Sequence, residues 1–504
     1  MSIETAKRTS VWVDTGPEQP SLPPLDTDVR TDVAVLGGGI VGITAALLLQ
    51  EAGVRVVLLE ADRLAHGVSG YTTAKLSSQH GLIYSRLRSK FGAAAARTYG
   101  MANEAGLAWI ANRVERDAIE CDFRRRASYA YVRDGSGRSQ VEQEAQAAAQ
   151  SGLPALLVAT TPLPYPVDAA VRFDGQAEFH PRKYLLALAG QLQGEVYEHT
   201  RAVGVDTGAQ NVVETPGGRV TADHVIVATH YPFLDRSLAF ARVHAERSYA
   251  LLCRIHGEPP PGMYISGDSP TRSVRAVPVA GEELLLVGGE GHKTGWGGDT
   301  EQRYRALEAF AREHWDVRSV EYRWSAQDNM TIDTLPYVGR LTPRSTGVFM
   351  ATGFAKWGLT GGTAAALLLC DLVLGRANPW AELFDPYRIK PLPAALKFVE
   401  ENAQVGLRFV GDRITKRGTR SIDELRPGEG DIVRHNGEKV AGHRREDGSL
   451  VAVSTRCTHL GCQLNFNTAE RSWDCPCHGS RFAPEGDVLQ GPAVHPLARK
   501  AVEK

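Results

Sequence analysis

A glycine-rich turn between two apolar runs is the feature that most constrains how this chain folds. Residues 32–36 (DVAVL) lead into Gly37-x-Gly39-x-x-Gly42, an alanine-rich apolar segment follows as far as Glu51, and the run 55–60 (RVVLLE) comes next. A strand, a glycine turn, a helix and a second strand in this order predict a βαβ unit. We therefore expect a largely parallel sheet with helices packed on its faces.

The three glycines predict a dinucleotide site. Gly37 permits a tight turn, Gly39 lets a pyrophosphate approach the backbone, and Gly42 allows the helix to pack closely on the strand. The start of the helix, at Ile40 and Val41, supplies partial positive charge to the pyrophosphate. Glu60 ends the second strand, where an acid can hydrogen-bond the ribose hydroxyls. The motif alone does not separate FAD from NAD.

A resemblance to a known family makes that distinction. The sequence of residues 32–60 resembles the N-terminal fingerprint of the D-amino-acid-oxidase-like FAD oxidoreductases, the superfamily that includes glycine and sarcosine oxidases. Three further segments match in order: residues 225–229 (VIVAT), 328–339 (DNMTIDTLPYVG) and 347–362, which contains GFAKWG. The resemblance spans roughly residues 30–385. It implies FAD, with its ring between a nucleotide domain and a sheet-built substrate domain, and hydride transfer from an amine-bearing carbon to flavin N5.

The resemblance also implies site residues. Lys356, beside the flavin N1/C2 carbonyl, is the candidate for stabilising the reduced ring. Arg272 and Tyr264, together with Arg275 and Trp357, are candidates for the substrate site. The FAD contacts implied beyond the glycine motif are Ser69, Thr72, Thr73, Ala74, Lys75, Val203, Ala228, Thr229, Gly353, Gly358, Leu359 and Thr360.

A second chemical signal lies in the last part of the chain. Of the seven cysteines, Cys457 and Cys475 each share a short box with a histidine, in Cys457-x-His459 and Cys475-x-x-His478. One Cys and one His per box suit a Rieske [2Fe–2S] cluster, in which two Cys bind one iron and two His bind the other. The alternative, a structural zinc, usually takes paired Cys from one box and paired His from the other.

The same boxes resemble the high-potential Rieske proteins of respiratory and photosynthetic complexes. That resemblance implies a disulfide between Cys462 and Cys477, a hydrogen bond from Ser480 to a cluster sulfur, and a proline loop at residues 491–492. Phe482 stands where those proteins have a tyrosine. One hydrogen bond to the cluster environment is therefore missing, which predicts a midpoint potential below the respiratory range.

The organisation predicted for the 504 residues is α/β plus all-β. We expect a Rossmann-like FAD-binding domain with an interleaved mixed-sheet substrate domain, followed by a small antiparallel β Rieske domain. The predicted boundaries are an extended segment over 1–30, a FAD-dependent oxidoreductase over 31–385, a linker over 386–420 and the Rieske domain over 421–504. Within the oxidoreductase, the FAD-binding parts are about 31–85, 150–235 and 325–380, and the substrate domain is about 86–149 and 236–324.

Charge and hydropathy restrict the partners. Lys plus Arg total 57 and Asp plus Glu total 58, so there is no electrostatic footprint for nucleic acid or an anionic membrane. No stretch reaches the ~18 uninterrupted apolar residues of a membrane span, and the first residues lack the apolar core of a secretory signal. The sequence predicts a cytoplasmic chain with no nucleic-acid partner and no membrane partner.

A flavin paired with a one-electron cluster predicts a dehydrogenase. In this hypothesis a small amine or amino acid reduces the flavin, and single electrons pass through the cluster to an external carrier. Two alternatives stay open: a cluster-fed reductive or oxygen-dependent flavoenzyme, and a non-catalytic redox sensor or electron-carrier module. Whether His459 and His478 face the flavin domain or an open docking surface distinguishes an internal relay from partner docking.

Overall fold

The computed structural model describes residues 3–237, 239–296, 298–388 and 420–502. Most of the predicted linker over 386–420 lies outside the described residues. The helices are α1 (Val11–Asp14), α2 (Ile40–Glu51), α3 (Tyr84–Phe91), α4 (Ala93–Arg116), α5 (Arg138–Gln150), α6 (Pro181–Ala189), α7 (Glu301–His314), α8 (Gly358–Val373) and α9 (Ala381–Phe384). No helix in these ranges is long and apolar enough to cross a membrane.

Strands make up four sheets. They are β1 (Val29–Leu36), β2 (Val56–Leu59), β3 (Lys75–Leu76), β4 (Arg124–Val132), β5 (Ala155–Val158), β6 (Ala169–Glu178), β7 (Glu195–Tyr197), β8 (Gly204–Thr207), β9 (Asn211–Glu214), β10 (Arg219–Val227), β11 (Val243–Ile255), β12 (Met263–Ser266), β13 (Arg272–Val279), β14 (Glu282–Lys293), β15 (Val317–Thr331), β16 (Tyr337–Arg340), β17 (Val348–Thr352), β18 (Gly430–His435), β19 (Glu438–Arg444), β20 (Leu450–Val453), β21 (Asn465–Asn467), β22 (Ser472–Asp474), β23 (Arg481–Phe482), β24 (Val488–Gln490) and β25 (Arg499–Lys500).

The first sheet contains the predicted βαβ unit. Its strand order is β16-β17-β10-β1-β2-β7, with β9 beside β10 and β8 beside β9, and β1 runs parallel to both β2 and β10. Helix α2 connects β1 to β2 and packs against α8. Both helices are apolar on nearly every side because each is enclosed between the sheet and its neighbours.

The second sheet has nine strands, in the order β15-β11-β14-β13-β12-β4-β6-β3 with β5 beside β6, and nearly all its pairings are antiparallel. The two-sheet arrangement confirms the predicted α/β class with a mixed-sheet second domain. The division of the chain differs from the prediction, however. Strands β5 and β6, in the segment assigned to FAD binding, belong to the second sheet, and α4, assigned to the substrate domain, packs against α8.

The N-terminal segment also differs from the prediction of an extended chain over 1–30. Residues Val11–Asp14 form the helical turn α1, with Val11 and Trp12 fully buried. The Trp12 indole donates to the Thr72 carbonyl oxygen at 2.7 Å, and the Ser10 hydroxyl donates to that of Gly70 at 2.5 Å. The turn thus anchors the loop that precedes β3.

The last described part, residues 420–502, is all-β as predicted. Two four-stranded antiparallel sheets, β18-β19-β20-β25 and β21-β22-β23-β24, enclose a core that includes Trp473, Phe482 and Leu464. The loops that carry the Cys/His boxes lie between β20 and β21 and between β22 and β23.

Candidate two-cofactor site

One large cavity lies between the two main sheets and the C-terminal β part. Its volume is about 900 Å³, and its wall includes the glycine turn at residues 37–41, segments of β11 and β15, and the loop around Lys356. The C-terminal part closes one side with Glu470, Arg481 and residues 489–491. A cavity of this size accommodates a cofactor and a small ligand together.

The glycine turn has the shape required for a pyrophosphate. A Cβ on Gly42 would overlap the Gly37 carbonyl oxygen, and one on Gly37, whose φ is +110°, would lie 2.6 Å from the Ala228 oxygen. The Ile40 amide donates to the Ser69 hydroxyl at 3.1 Å, and the Gly38 amide to Glu60 at 2.6 Å. Burial raises the pKa of Glu60. These residues fit the dinucleotide end of FAD.

The predicted FAD contacts divide into two groups. Five of them lie outside the cavity wall and support it. The Thr360 hydroxyl donates to the Ser77 carbonyl at 2.9 Å, and the Val203 amide donates a hydrogen bond to a backbone carbonyl of β9. Gly42, Ala74 and Gly353 are the other three. The wall itself contains Gly37, Gly39, Ile40, Val41, Glu60, Ser69, Thr72, Thr73, Lys75, Ala228, Thr229, Gly358 and Leu359.

The loop before α8 contains backbone strain at the cavity wall. Ala355 and Lys356 are consecutive non-glycine residues with φ of 51° and 73°. Such conformations cost about 1–3 kcal/mol each and cluster at functional sites. Lys356 lines the cavity and pairs with Glu246 at 3.1 Å. Trp357 also lines it and stacks on His80, with ring centroids 4.7 Å apart.

The other two catalytic candidates lie outside the cavity wall that contains Lys356. Tyr264 on β12 is fully buried, stacks on Tyr129 and donates to the Pro261 carbonyl. Arg272 pairs with Glu290 at 2.7 Å and covers the Phe310 ring. Neither belongs to the cavity wall: Tyr264 lies in a buried cluster that includes residues of α7, and Arg272 lies over Phe310 of α7.

The fold brings to the wall a group of charged residues that no sequence motif indicates. Arg247 on β11 and Glu470 in the β21–β22 turn pair at 3.3 Å across the two parts. Lys75 was predicted as a FAD contact only, but it is also a buried wall residue with hydroxyl partners on Thr73 and Ser273. Burial and the neighbouring charge of Arg275 lower its pKa to about 7. No motif indicates the Arg247–Glu470 and Lys75–Ser273 pairings, because each joins distant segments of the chain.

The two Cys/His boxes converge at one end of the C-terminal part. Cys462 and Cys477 form the predicted disulfide, with an S–S distance of 2.08 Å. Their sulfurs lie within 4.8 Å of that of Cys475, but the disulfide leaves only Cys475 of these three as a potential ligand. A hydrogen bond from Cys475 lowers the pKa of Cys457, so these two thiols are neighbours.

The histidines complete a ligand set that fits a cluster. His459 and His478 lie with ring centroids 5.1 Å apart. Within the described ranges, Nδ1 of each ring is buried and has no hydrogen-bond partner. Two thiols and two unpartnered imidazole nitrogens are the donors that a Rieske cluster requires. The Ser480 hydroxyl accepts from the Ala493 amide at 3.0 Å, and the Phe482 ring is fully buried.

Both imidazoles face the flavin-binding part of the molecule. His459 Nε2 lies 2.9 Å from Asp235, and the His478 ring lies edge-on to Phe240 with centroids 5.8 Å apart. The side chain of His459 is 6% exposed. Their outer edge is therefore covered by residues that precede β11, not by solvent.

The second cluster loop is held from the same side. Gln327 donates to the Gly479 carbonyl at 2.8 Å, and the Trp296 indole donates to that of Pro476 at 3.0 Å. Gly479 has a φ of +79°, and a Cβ there would overlap the Ala245 side chain. A nucleotide cavity adjoining an iron–sulfur ligand set defines an oxidoreductase with two redox centres.

Comparison with known proteins identifies both parts. The FAD dependent oxidoreductase family matches residues 32–372, and the Rieske [2Fe-2S] domain family matches residues 419–501. The chain therefore belongs to the FAD dependent oxidoreductase family and carries a Rieske domain. These families imply FAD and a [2Fe–2S] cluster, which the cavity and the ligand set described above fit.

Three individual proteins illustrate the similarity. The Bacillus subtilis (strain 168) Rieske 2Fe-2S iron-sulfur protein YhfW is 37% identical over 488 residues, which cover 96% of each chain. Gamma-glutamylputrescine oxidoreductase of Escherichia coli (strain K12) is 25% identical over 73% of this chain and 88% of its own length. The structure of glycine oxidase from Geobacillus kaustophilus superposes with a TM-score of 0.61 at 19% identity, covering 72% of this chain and 99% of that one.

Proposed function

We propose that this chain is a dehydrogenase that oxidises a small amine or amino acid and delivers single electrons to an external carrier. When bound, FAD would supply a two-electron hydride acceptor and the cluster a one-electron carrier. The observation that carries the proposal is the shared cavity. Residues of the glycine turn and of the Rieske domain line the same space, and the two cluster histidines face the flavin-binding part.

The character of the cavity supports a catalytic role over a purely structural one. It is large, and its wall carries ionic side chains, among them Lys75, Arg247, Glu290 and Lys356. A non-catalytic module would favour a closed or apolar pocket. The amine or amino-acid class is supported by the names of the relatives, a gamma-glutamylputrescine oxidoreductase and a glycine oxidase.

The chain's own residues would act in two ways. Lys356 would balance the negative charge that reduction adds to the ring system. Its position is fixed by Glu246: a hydrogen bond from His244 and the charge of Lys356 outweigh burial and lower the Glu246 pKa to about 2. The carboxylate therefore stays charged at neutral pH. Trp357, stacked on His80, would exclude water beside this pair.

An anaerobic titration tests the proposal. Candidate amines and amino acids are added to the fully loaded chain while flavin absorbance and the cluster's electron paramagnetic resonance signal are followed together. We expect a substrate that bleaches the flavin and then reduces the cluster. A Cys457→Ser variant, which lacks a cluster ligand, should still bleach the flavin but show no cluster signal. Flavin reduction that never reaches the cluster in the parent chain would contradict the proposal.

A further inference from the structure

The Rieske domain does more than approach the flavin-binding part: it forms one side of the ligand cavity. The β21–β22 turn inserts Glu470 into the wall, next to Arg481 at the start of β23. Thr300, just before α7, holds this turn by donating to Asn467 Oδ1 at 2.7 Å and accepting from the Ala469 amide at 3.0 Å. Glu470 therefore has a defined position in a site built mainly by another domain.

Glu470 meets an arginine that the flavin-binding part cannot neutralise alone. Arg247 is 1% exposed, and its Nε and Nη2 donate to the Ser325 hydroxyl at 2.9 and 2.6 Å. Its contact with a carboxylate is the 3.3 Å pair with Glu470. Among the described residues, Nη1 of Arg247 has no hydrogen-bond partner. A buried guanidinium with one unsatisfied edge lines the cavity beside a single Rieske carboxylate.

The surroundings keep Glu470 charged. Tyr304 donates to its Oε1 at 2.8 Å. Burial alone would raise the pKa of Glu470, but the charges of Arg247 and Arg481 outweigh burial and lower it. Arg481 is itself paired with Asp474 at 3.1 Å. Of these two carboxylates, Glu470 is the one that lines the cavity and forms the ion pair with Arg247.

We propose that Glu470 sets the charge selectivity of the ligand cavity, so that the Rieske domain is a determinant of which small molecules bind. By offsetting Arg247 it lowers the attraction of the cavity for a carboxylate and raises it for a cationic amine. The inference deepens the proposed function, since it concerns the same cavity. It predicts a change in ligand preference that can be measured by binding alone, without catalytic turnover.

The test compares ligand binding to the full chain loaded with FAD and cluster. Benzoate is titrated into the parent and Glu470→Gln, and binding is followed by perturbation of the flavin spectrum. Glutamine keeps an oxygen that accepts from Tyr304 but removes the charge. Because partly buried charge pairs act strongly on a third charge, we expect benzoate to bind about tenfold more tightly to Glu470→Gln. Arg247→Gln should abolish the gain in the double variant.

Controls separate this effect from a structural one. Glu446→Gln removes an exposed Rieske carboxylate that pairs with Arg471, and it should bind benzoate like the parent. Glu470→Met, which removes the charge without an amide, should change affinity in the same direction as Glu470→Gln. Equal affinity of the parent and both Glu470 variants would overturn the inference, and so would absence of benzoate binding in all of them. Failure of every amine to reduce the flavin would instead contradict only the proposed function.

Discussion

Lys75 combines burial with hydroxyl partners, an unusual combination for a lysine. It lies at the start of β3, where the loop after the second Rossmann strand joins the nine-stranded sheet. Arg275 is fully buried and forms an ion pair with Glu178 at 3.4 Å. The Glu178 carboxylate is therefore paired with Arg275 and not with Lys75. The ammonium form of Lys75 is therefore costly, and its pKa of about 7 follows from burial first and from Arg275 second.

We predict that Lys75 reacts as a neutral amine near pH 8. With a folded-state pKa of about 7, its neutral fraction at pH 8 exceeds that of an ordinary lysine by roughly two- to threehundredfold. Trace acetylation followed by peptide mass spectrometry should give a rate whose midpoint lies near pH 7, with the partly exposed Lys183 as the comparison. As the pH drops from about 10.5 towards 7, Lys75 takes up a proton in the unfolded chain but not in the folded chain. The free energy of unfolding therefore falls over this pH range.

The Lys75→Met variant is the matched control. It should lose this part of the pH dependence of unfolding while Lys183→Met keeps it. A Lys75 labelling midpoint near pH 10 would contradict the prediction, because it would mean that the buried ammonium form is as stable as that of an ordinary lysine.

At the scale of elements, strand β15 links the two redox parts. Its residue Gln327 lines the cavity and donates to the Gly479 carbonyl of the second cluster loop, while Thr294 donates to its Oε1 at 2.9 Å. The side chain is therefore fixed from both ends. Because the Gly479 carbonyl follows a cluster histidine directly in sequence, β15 positions the loop against the flavin-binding part.

Replacing Gln327 by Leu should weaken this docking. A buried carbonyl left without its donor costs about 1–3 kcal/mol. We expect the free energy of unfolding, measured by denaturant titration, to fall by about this amount, and limited proteolysis to release the Rieske part faster. Gln143→Leu, on the exposed face of α5, is the control and should leave both measurements unchanged. Equal stability of the two variants would contradict a docking role for Gln327.

At the scale of the whole molecule, the flavin-binding part covers the edge of the Rieske domain that carries the two histidines. The contacts come from strand β15, through Gln327, and from three other segments, through Asp235, Trp296 and Arg201. Arg201 donates to the Val488 carbonyl at 3.0 Å. Domains joined in one chain and held together in this way meet at a high effective concentration.

Electron transfer from flavin to cluster should therefore be first order. In rapid-mixing experiments with a reducing substrate, we expect the rate of cluster reduction to stay constant when the protein is diluted tenfold. A rate that falls in proportion to dilution would mean that the cluster is reduced by another molecule. Flavin reduction itself, measured in the same traces, provides the internal reference.

Local patterns predicted the elements that build the two cofactor sites. Helix α2 spans Ile40–Glu51, the predicted range, because its apolar residues and the flanking Gly39 define it without help from distant parts. The disulfide of Cys462 and Cys477, which the resemblance to high-potential Rieske proteins implied, is confirmed. Tyr264 and Arg272 lie outside the cavity wall because the part of a sheet that lines a cavity depends on how the sheets and domains pack together, which periodicity alone does not reveal.

The sequence by itself determined the chemistry: a nucleotide turn that only glycine can form, and one Cys–His pair in each of two loops. Such features are short-range, since neighbouring residues in the chain create them. Only the tertiary structure decided how the parts meet. It placed Asp235 against His459, Gln327 against Gly479 and Glu470 against Arg247, pairs separated by long stretches of chain. These contacts exist because the two sheets and the Rieske domain bury their faces together, and no local pattern encodes that arrangement.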